Sequence, residues 1–136
     1  MNITLLEGRF AVCRLGADDA VPGWARGAFV SITRTSEELS VVCEEAAMPE
    51  GVRAEGGWVC VKVLGPIPFE TVGVAAAISG ALAEAGISVL IVGTFDTDYV
   101  LVKEAVSARA IEALGAGGFS MVTPPGRRRY TEPRDS

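Results

Sequence analysis

Between residues 64 and 104 the spacing of apolar positions changes repeatedly, and each change marks an element. Val74, Ile78, Leu82 and Ala85 recur at i, i+4, i+8 and i+11, which places one apolar stripe on a helix. Thr71 is the expected N-cap, and Gly86 stands where a left-handed C-terminal residue belongs. Residues 87–93 and 99–103 read as strands joined by the polar tip Thr94-Phe95-Asp96-Thr97-Asp98. A second helix is expected over 107–114 and a short last strand over 119–122.

The first half carries the same signals more faintly. Residues 9–15 alternate, with Phe10, Val12 and Arg14 on one side and Ala11, Cys13 and Leu15 on the other. Residues 16–24 form a loop with room for a turn or two of helix. Residues 28–33 and 39–43 read as strands around the tip at 34–38. Residues 49–57 read as irregular and 58–64 as a strand.

The halves lie over one another. Residues 31–42 match 91–102 at an offset of 60, and Gly56-Gly57-Trp58 matches Gly117-Gly118-Phe119 at 61. Upstream, Leu15-Gly16 matches Leu64-Gly65 at 49, so the first copy lacks 11 residues, about three helical turns. Its first helix is expected to shrink to a stub around 21–26. The order strand, helix, strand, strand, helix, strand is the split βαβ pattern. The fold expected is therefore α+β: two βαββαβ-type units in tandem, antiparallel sheets with helices on one face. The first unit spans 1–57 with a truncated first helix, the second is complete over 58–123, and 124–136 is a disordered tail. The strand at 58–64 closes the first unit, opens the second, or does both.

Composition narrows the function. The chain has 136 residues, enough to bury a core, and 49% apolar with 21% charged residues excludes a disordered polymer. Its apolar runs end well short of the roughly 20 residues of a membrane span. No cationic start leads into an apolar stretch, so a cytoplasmic location is expected. Cys13, Cys43 and Cys60 are three, far apart and flanked by Val, as core residues are. Four Arg in 127–136 face Glu132 and Asp135, leaving a tail of +2 on a body of −7 within a net charge of −5. An acidic body argues against nucleic acid as a partner. The absence of His removes the usual general base and zinc ligand. No nucleophile stands beside a base and no metal cage is visible, so the reading is a binding module without catalysis, cofactor or metal.

The second half resembles the ACT domain, the regulatory module of aspartate kinases and other amino-acid pathway enzymes. The resemblance rests on Gly65-Pro66-x-x-Phe69-Glu70-x-x-Gly73-Val74, on Leu82-Ala83-Glu84-Ala85-Gly86-Ile87-Ser88-Val89, and on Thr94-Phe95-Asp96-Thr97-Asp98-Tyr99-x-Leu101-Val102. With Phe29-x-Ser31-Ile32-Thr33-Arg34-Thr35, the last two blocks are most similar to small bacterial stand-alone tandem ACT proteins, themselves similar to animal cytosolic arginine sensors. The resemblance covers residues 9–122. It implies a ferredoxin-like ACT fold that binds a free amino acid at the junction of ACT units, in a homodimer or between internally paired units. The alternative is a structural interaction module that binds nothing small.

The residues offer a chemistry for such a ligand. Gly65 and Ile67 can present N–H groups in the turn around Pro66, and the helix beginning near Thr71 adds its positive dipole end, with Val72 counted in the site. Glu70, Asp96 and Asp98 are acceptors for an ammonium or guanidinium group, which leans the ligand towards a cationic side chain. Phe95 beside Thr94 can stack on it, and Ser31, Ile32 and Thr33 can supply a facing strand edge. Each has a plainer reading: Asp96 and Asp98 as hairpin-tip formers, Glu70 as a helix-dipole partner, Gly65-Pro66 as a turn.

Overall fold

The computed structural model describes residues 1–122; the expected tail, 124–136, lies outside them. The elements run β1 (Asn2–Leu5), β2 (Phe10–Leu15), β3 (Ser31–Arg34), β4 (Leu39–Glu44), β5 (Arg53–Val63), α1 (Val74–Glu84), β6 (Leu90–Gly93), β7 (Asp98–Lys103), α2 (Ser107–Ala116) and β8 (Ser120–Met121). The mixed α+β class and the ferredoxin-like arrangement are as expected.

All eight strands join one sheet, and the 11-residue β5 is its axis. Along one edge, the first half of β5 pairs with β2 and its end pairs with β1, both antiparallel. Along the other edge, residues 58–62 pair with β7. One half of the sheet is therefore ordered β3-β4-β2-β5 and the other β6-β7-β5-β1-β8. Residues 53–57, expected to be irregular, extend this strand because β2 supplies their ladder partner. β1 was not foreseen at all; it separates β5 from β8 and pairs parallel with the latter.

A bulge bends β5. From Phe10 to Val12 is two steps on β2, but from Trp58 to Glu55 is three on β5. The extra residue falls at Gly56-Gly57, where Gly57 has φ +79°. Such an insertion bends the strand and increases its twist. Gly57 N–H donates to Glu45 Oε1 at 2.8 Å, and Lys103 Nζ donates to the Gly56 carbonyl at 2.6 Å.

The bend divides the core into three. Ile78 and Leu82 of α1 and Ala110 and Leu114 of α2 cover Val59, Val61, Val63, Val100 and Val102. Phe10, Phe29, Val42, Cys60 and Leu101 form an inner cluster with Leu90, Val92 and Tyr99. These residues come from both halves of the sheet, which therefore closes on itself here, with the Phe29 and Tyr99 rings 4.6 Å apart. On the outer face of the first half, Trp24, Ala25, Met48 and Val52 cover Ala11, Cys13, Leu39, Val41 and Cys43 where helices would otherwise lie. The expected stub at 21–26 is a turn, closed by Ala25 N–H on the Pro22 carbonyl.

The repeat is present, but one residue out of the expected register. Arg34 faces Leu39 as Gly93 faces Asp98, and Thr35 N–H reaches the Glu38 carbonyl as Thr94 N–H reaches that of Thr97. The hairpin offset is therefore 59. Arg14 opposite Ser40 corresponds to Lys62 opposite Tyr99, an offset of 48, so the deletion of 11 residues stands. A one-residue slip turns every strand side chain to the other face. In the corrected register Val42 falls on Leu101, both in the inner cluster, and Val41 and Cys43 fall on Val100 and Val102, both on covered outer faces.

Two consequences are measurable. Gly57→Ala forces a Cβ into left-handed backbone and should destabilise by about 1–2 kcal/mol. Gly80→Ala, inside α1 with nothing within 4 Å of the new Cβ, should stabilise by about 0.5–1 kcal/mol; urea melts check both signs. Burial also raises the Cys60 thiol from 9.0 to about 12 and Cys13 to about 11. An unfolded chain sheds these protons near the ordinary value while the folded one holds them. Their contribution is thus complete below about pH 9 and lost as pH climbs towards 11–12. Thermal melts of Cys60→Ala across that window should fall less steeply than those of the wild type.

Candidate functional site

One cavity of about 260 Å³ opens between the start of α1 and the tip of the β6–β7 hairpin. Gly65 lies behind its lining and sets the loop that forms one wall. A Cβ there would sit 3.0 Å from the Asp96 carbonyl and 3.2 Å from Thr97 Cβ, so only glycine lets the 64–68 loop lie against the tip. Ile67 N–H then donates to the Asp96 carbonyl at 2.7 Å, and the Gly65-Pro66 bond is cis. Thr97, 5% exposed, clamps the same junction through a hydroxyl bond to the Val63 carbonyl.

The helix start is open. Gly73 is left-handed at φ 89°, no side chain caps α1, and the first helical bond is Ala77 N–H to the Gly73 carbonyl. Thr71 is not the N-cap; its own N–H closes a turn on the Pro68 carbonyl at 3.0 Å. The N–H groups of Val74, Ala75 and Ala76 meet no acceptor among the described residues, and all three residues line the cavity. Uncapped donors at the positive end of an 11-residue helix favour an anion. The other helix end is closed as expected: Gly86 has φ 73°, and Ile87 N–H reaches the Leu82 carbonyl.

Across the cavity stands Asp98, half-buried, the one charged side chain in its lining. Gly93 faces it in the ladder, and a Cβ there would lie 3.3 Å from Asp98 Oδ1. Phe69 and Phe95 meet edge to face at the rim with centroids 5.0 Å apart. The wall thus offers donors for an anion, an acceptor for a cation and apolar surface between them.

Of the residues singled out in the sequence, Ile67, Thr94, Phe95 and Asp98 line this cavity. The Ile67 N–H is already spent on Asp96, so the free donors come from the helix and not from the loop. Gly65 and Pro66 lie behind the lining, and Glu70, Val72 and Asp96 are exposed outside it. Ser31, Ile32 and Thr33 lie on β3, an edge strand of the other half of the sheet. The sequence reading did not assign Pro68, Phe69, Thr71, Gly73, Val74, Ala75, Ala76 or Thr97 to the site, and all of them line the cavity. The available signal was Gly73 directly before the apolar stripe, a capping position with no side chain to block a ligand. Among the described residues no group of three or more Cys, Asp or Glu is placed to hold a metal ion.

The ACT-domain family profile matches residues 53–116, and a profile described as an N-terminal domain matches residues 8–51. A crystal structure of a protein from Agobacterium tumefaciens is similar at 36% identity, over 94% of this chain and 96% of that one, with a TM-score of 0.85. A Vibrio cholerae protein of unknown function, described as possibly in transport, is similar at 22% identity and TM-score 0.66, over 85% and 88% of the two chains. The ligand-free regulatory subunit of aspartate kinase from Thermus thermophilus shares the fold at 13% identity and TM-score 0.57, over 83% of this chain and 94% of that one. No curated protein matches. The chain carries an ACT domain over residues 53–116, which supports a regulatory ligand-binding module. No catalytic family is indicated. No helix among the described residues is long and apolar enough to cross a membrane.

The clamp under the cavity is testable alone. Thr97→Val keeps the shape but strands the Val63 carbonyl acceptor, and should cost about 1–3 kcal/mol in urea melts.

Proposed function

We propose that this protein binds a free amino acid in the cavity between α1 and the β6–β7 tip and reports its presence as a sensor. One observation carries the reading: the uncapped start of α1 and a lone carboxylate, Asp98, line the same small cavity. The α-carboxylate accepts from Val74, Ala75 and Ala76, and the α-ammonium donates to Asp98. The family match to ACT domains and the likeness to an aspartate kinase regulatory subunit support the same assignment.

The reading extends to a second copy. Of the exposed apolar residues, Val30 and Ile32 lie on and beside the β3 edge and Phe69, Val72 and Phe95 around the cavity, while Met1, Val21 and Met121 lie elsewhere. A homodimer that sets the first against the second would close the cavity with Ser31, Ile32 and Thr33 and cover both patches. Gly65 and Pro66 then shape the loop behind the lining, and Glu70 and Asp96 stay outside it. In this reading the two units divide near residue 57, the protein works in the cytoplasm, and neither nucleic acid nor membrane is a partner.

Asp98→Asn should weaken amino-acid binding by about ten- to a hundredfold, the loss of one charge-assisted bond of about 1.5–3 kcal/mol. Its apo stability should move by less than about 0.5 kcal/mol. A melting screen against the twenty amino acids, followed by calorimetry, measures both. A ligand at 100 times its Kd should raise stability by about 2.7 kcal/mol. No shift with any amino acid would remove the sensor reading and leave a structural module. Sedimentation that shows only monomer, with and without ligand, would remove the second copy.

A further inference from the structure

The same cavity says which side chain it suits. We infer that the ligand is an amino acid with a neutral, apolar side chain; this rests on the amino-acid reading above and goes beyond it. The inference begins with charge. A free amino acid brings one cation and one anion, and the cavity holds one partner for each: Asp98 and the open start of α1. Glu70 and Asp96, the other nearby carboxylates, are exposed outside the lining. A cationic side chain would find its carboxylate already used, and an anionic one would be drawn to the same helix end as the α-carboxylate. Burying either without a partner is costly.

Beyond these two partners the lining carries the apolar side chains of Ile67, Pro68, Phe69, Val74 and Phe95, with the threonines 71, 94 and 97 between them. Two of those hydroxyls already donate within the protein: Thr94 Oγ1 to the Thr97 carbonyl, and Thr97 Oγ1 to that of Val63 at the end of β5. They offer little to a polar side chain. Phe69 and Phe95 are 71% and 79% exposed although they touch each other. An edge-to-face aromatic pair left in water at the rim of a cavity is a surface that an aliphatic side chain would cover. The volume of about 260 Å³ sits at the small end for ligand sites and suits a ligand the size of an amino acid. A guanidinium or ammonium over a Phe face is the one way a cation would gain here, and Phe is a weak ring for it.

The decisive comparison holds shape constant and changes charge. Norleucine and lysine share an unbranched four-carbon chain and differ at its end by the ammonium group. Calorimetry on the full chain should show norleucine, leucine and methionine each binding at least tenfold tighter than lysine, arginine, aspartate or glutamate. Phe95→Ala should weaken norleucine by about tenfold while alanine, too short to reach the rim, changes by less than twofold. Lysine or arginine binding as tightly as norleucine would overturn the apolar assignment and leave the amino-acid site standing. Equal weakening of norleucine and alanine by Phe95→Ala would show that the rim acts on the fold and not on the side chain, and would also overturn it. Failure of every amino acid to bind would remove the site itself, a separate outcome that the melting screen identifies.

Discussion

The structure depends on the double duty of β5. One strand of 11 residues is at once the partner of β2 and of β7, and the bulge at Gly56-Gly57 separates the two roles. Without the extra residue the strand would run on in one plane and the two halves of the sheet would lie side by side. With it they fold towards each other, and the inner cluster of Phe10, Phe29, Val42, Cys60 and Leu101 becomes enclosed. Polar groups fix the bend from both sides. Glu45 holds the Gly57 N–H, and Lys103 reaches the Gly56 carbonyl and Glu55 while lying 4.9 Å from the Trp58 ring.

Holding the halves together in this way gives them different tasks. The second half keeps both helices, and α1 can leave its N-terminus unoccupied because Ile78 and Leu82 anchor it to the sheet. Each fully buried side chain of this kind is worth about 1.5–3 kcal/mol, more than a missing cap costs. The first half has no α-helix. A loop with Trp24 covers its outer face, and its edge strand β3 remains open. The two tasks touch through the inner cluster: Tyr99, next to Asp98, stacks on Phe29, two residues before β3. A contact at the hairpin tip is thus one side chain away from the other half of the molecule.

The candidate site was legible in part. Asp98, Phe95, Thr94 and Ile67 stood out because a polar tip after an apolar strand and a Gly-Pro turn before a helix are local patterns. The helix start was legible as a positive dipole end, but not which of its N–H donors are free. Their availability depends on Gly73 adopting a left-handed conformation and on Thr71 closing a separate turn, which are results of packing. Of the acidic group Glu70, Asp96 and Asp98, only Asp98 belongs to the lining of the cavity. Residues close in sequence point in different directions at a hairpin tip.

By itself the sequence determined the element types, the tandem repeat and the 11 residues absent between its first two strands, because period and length are local properties. It also determined the closing turn at Gly86, since few residues but glycine take that backbone. Tertiary structure decided the rest. β1 and residues 53–57 became strands only because distant chain supplied their ladder partners. The repeat register of 59 and not 60 was fixed by which faces are covered. Strands apolar on both faces carry no alternation from which to read that choice.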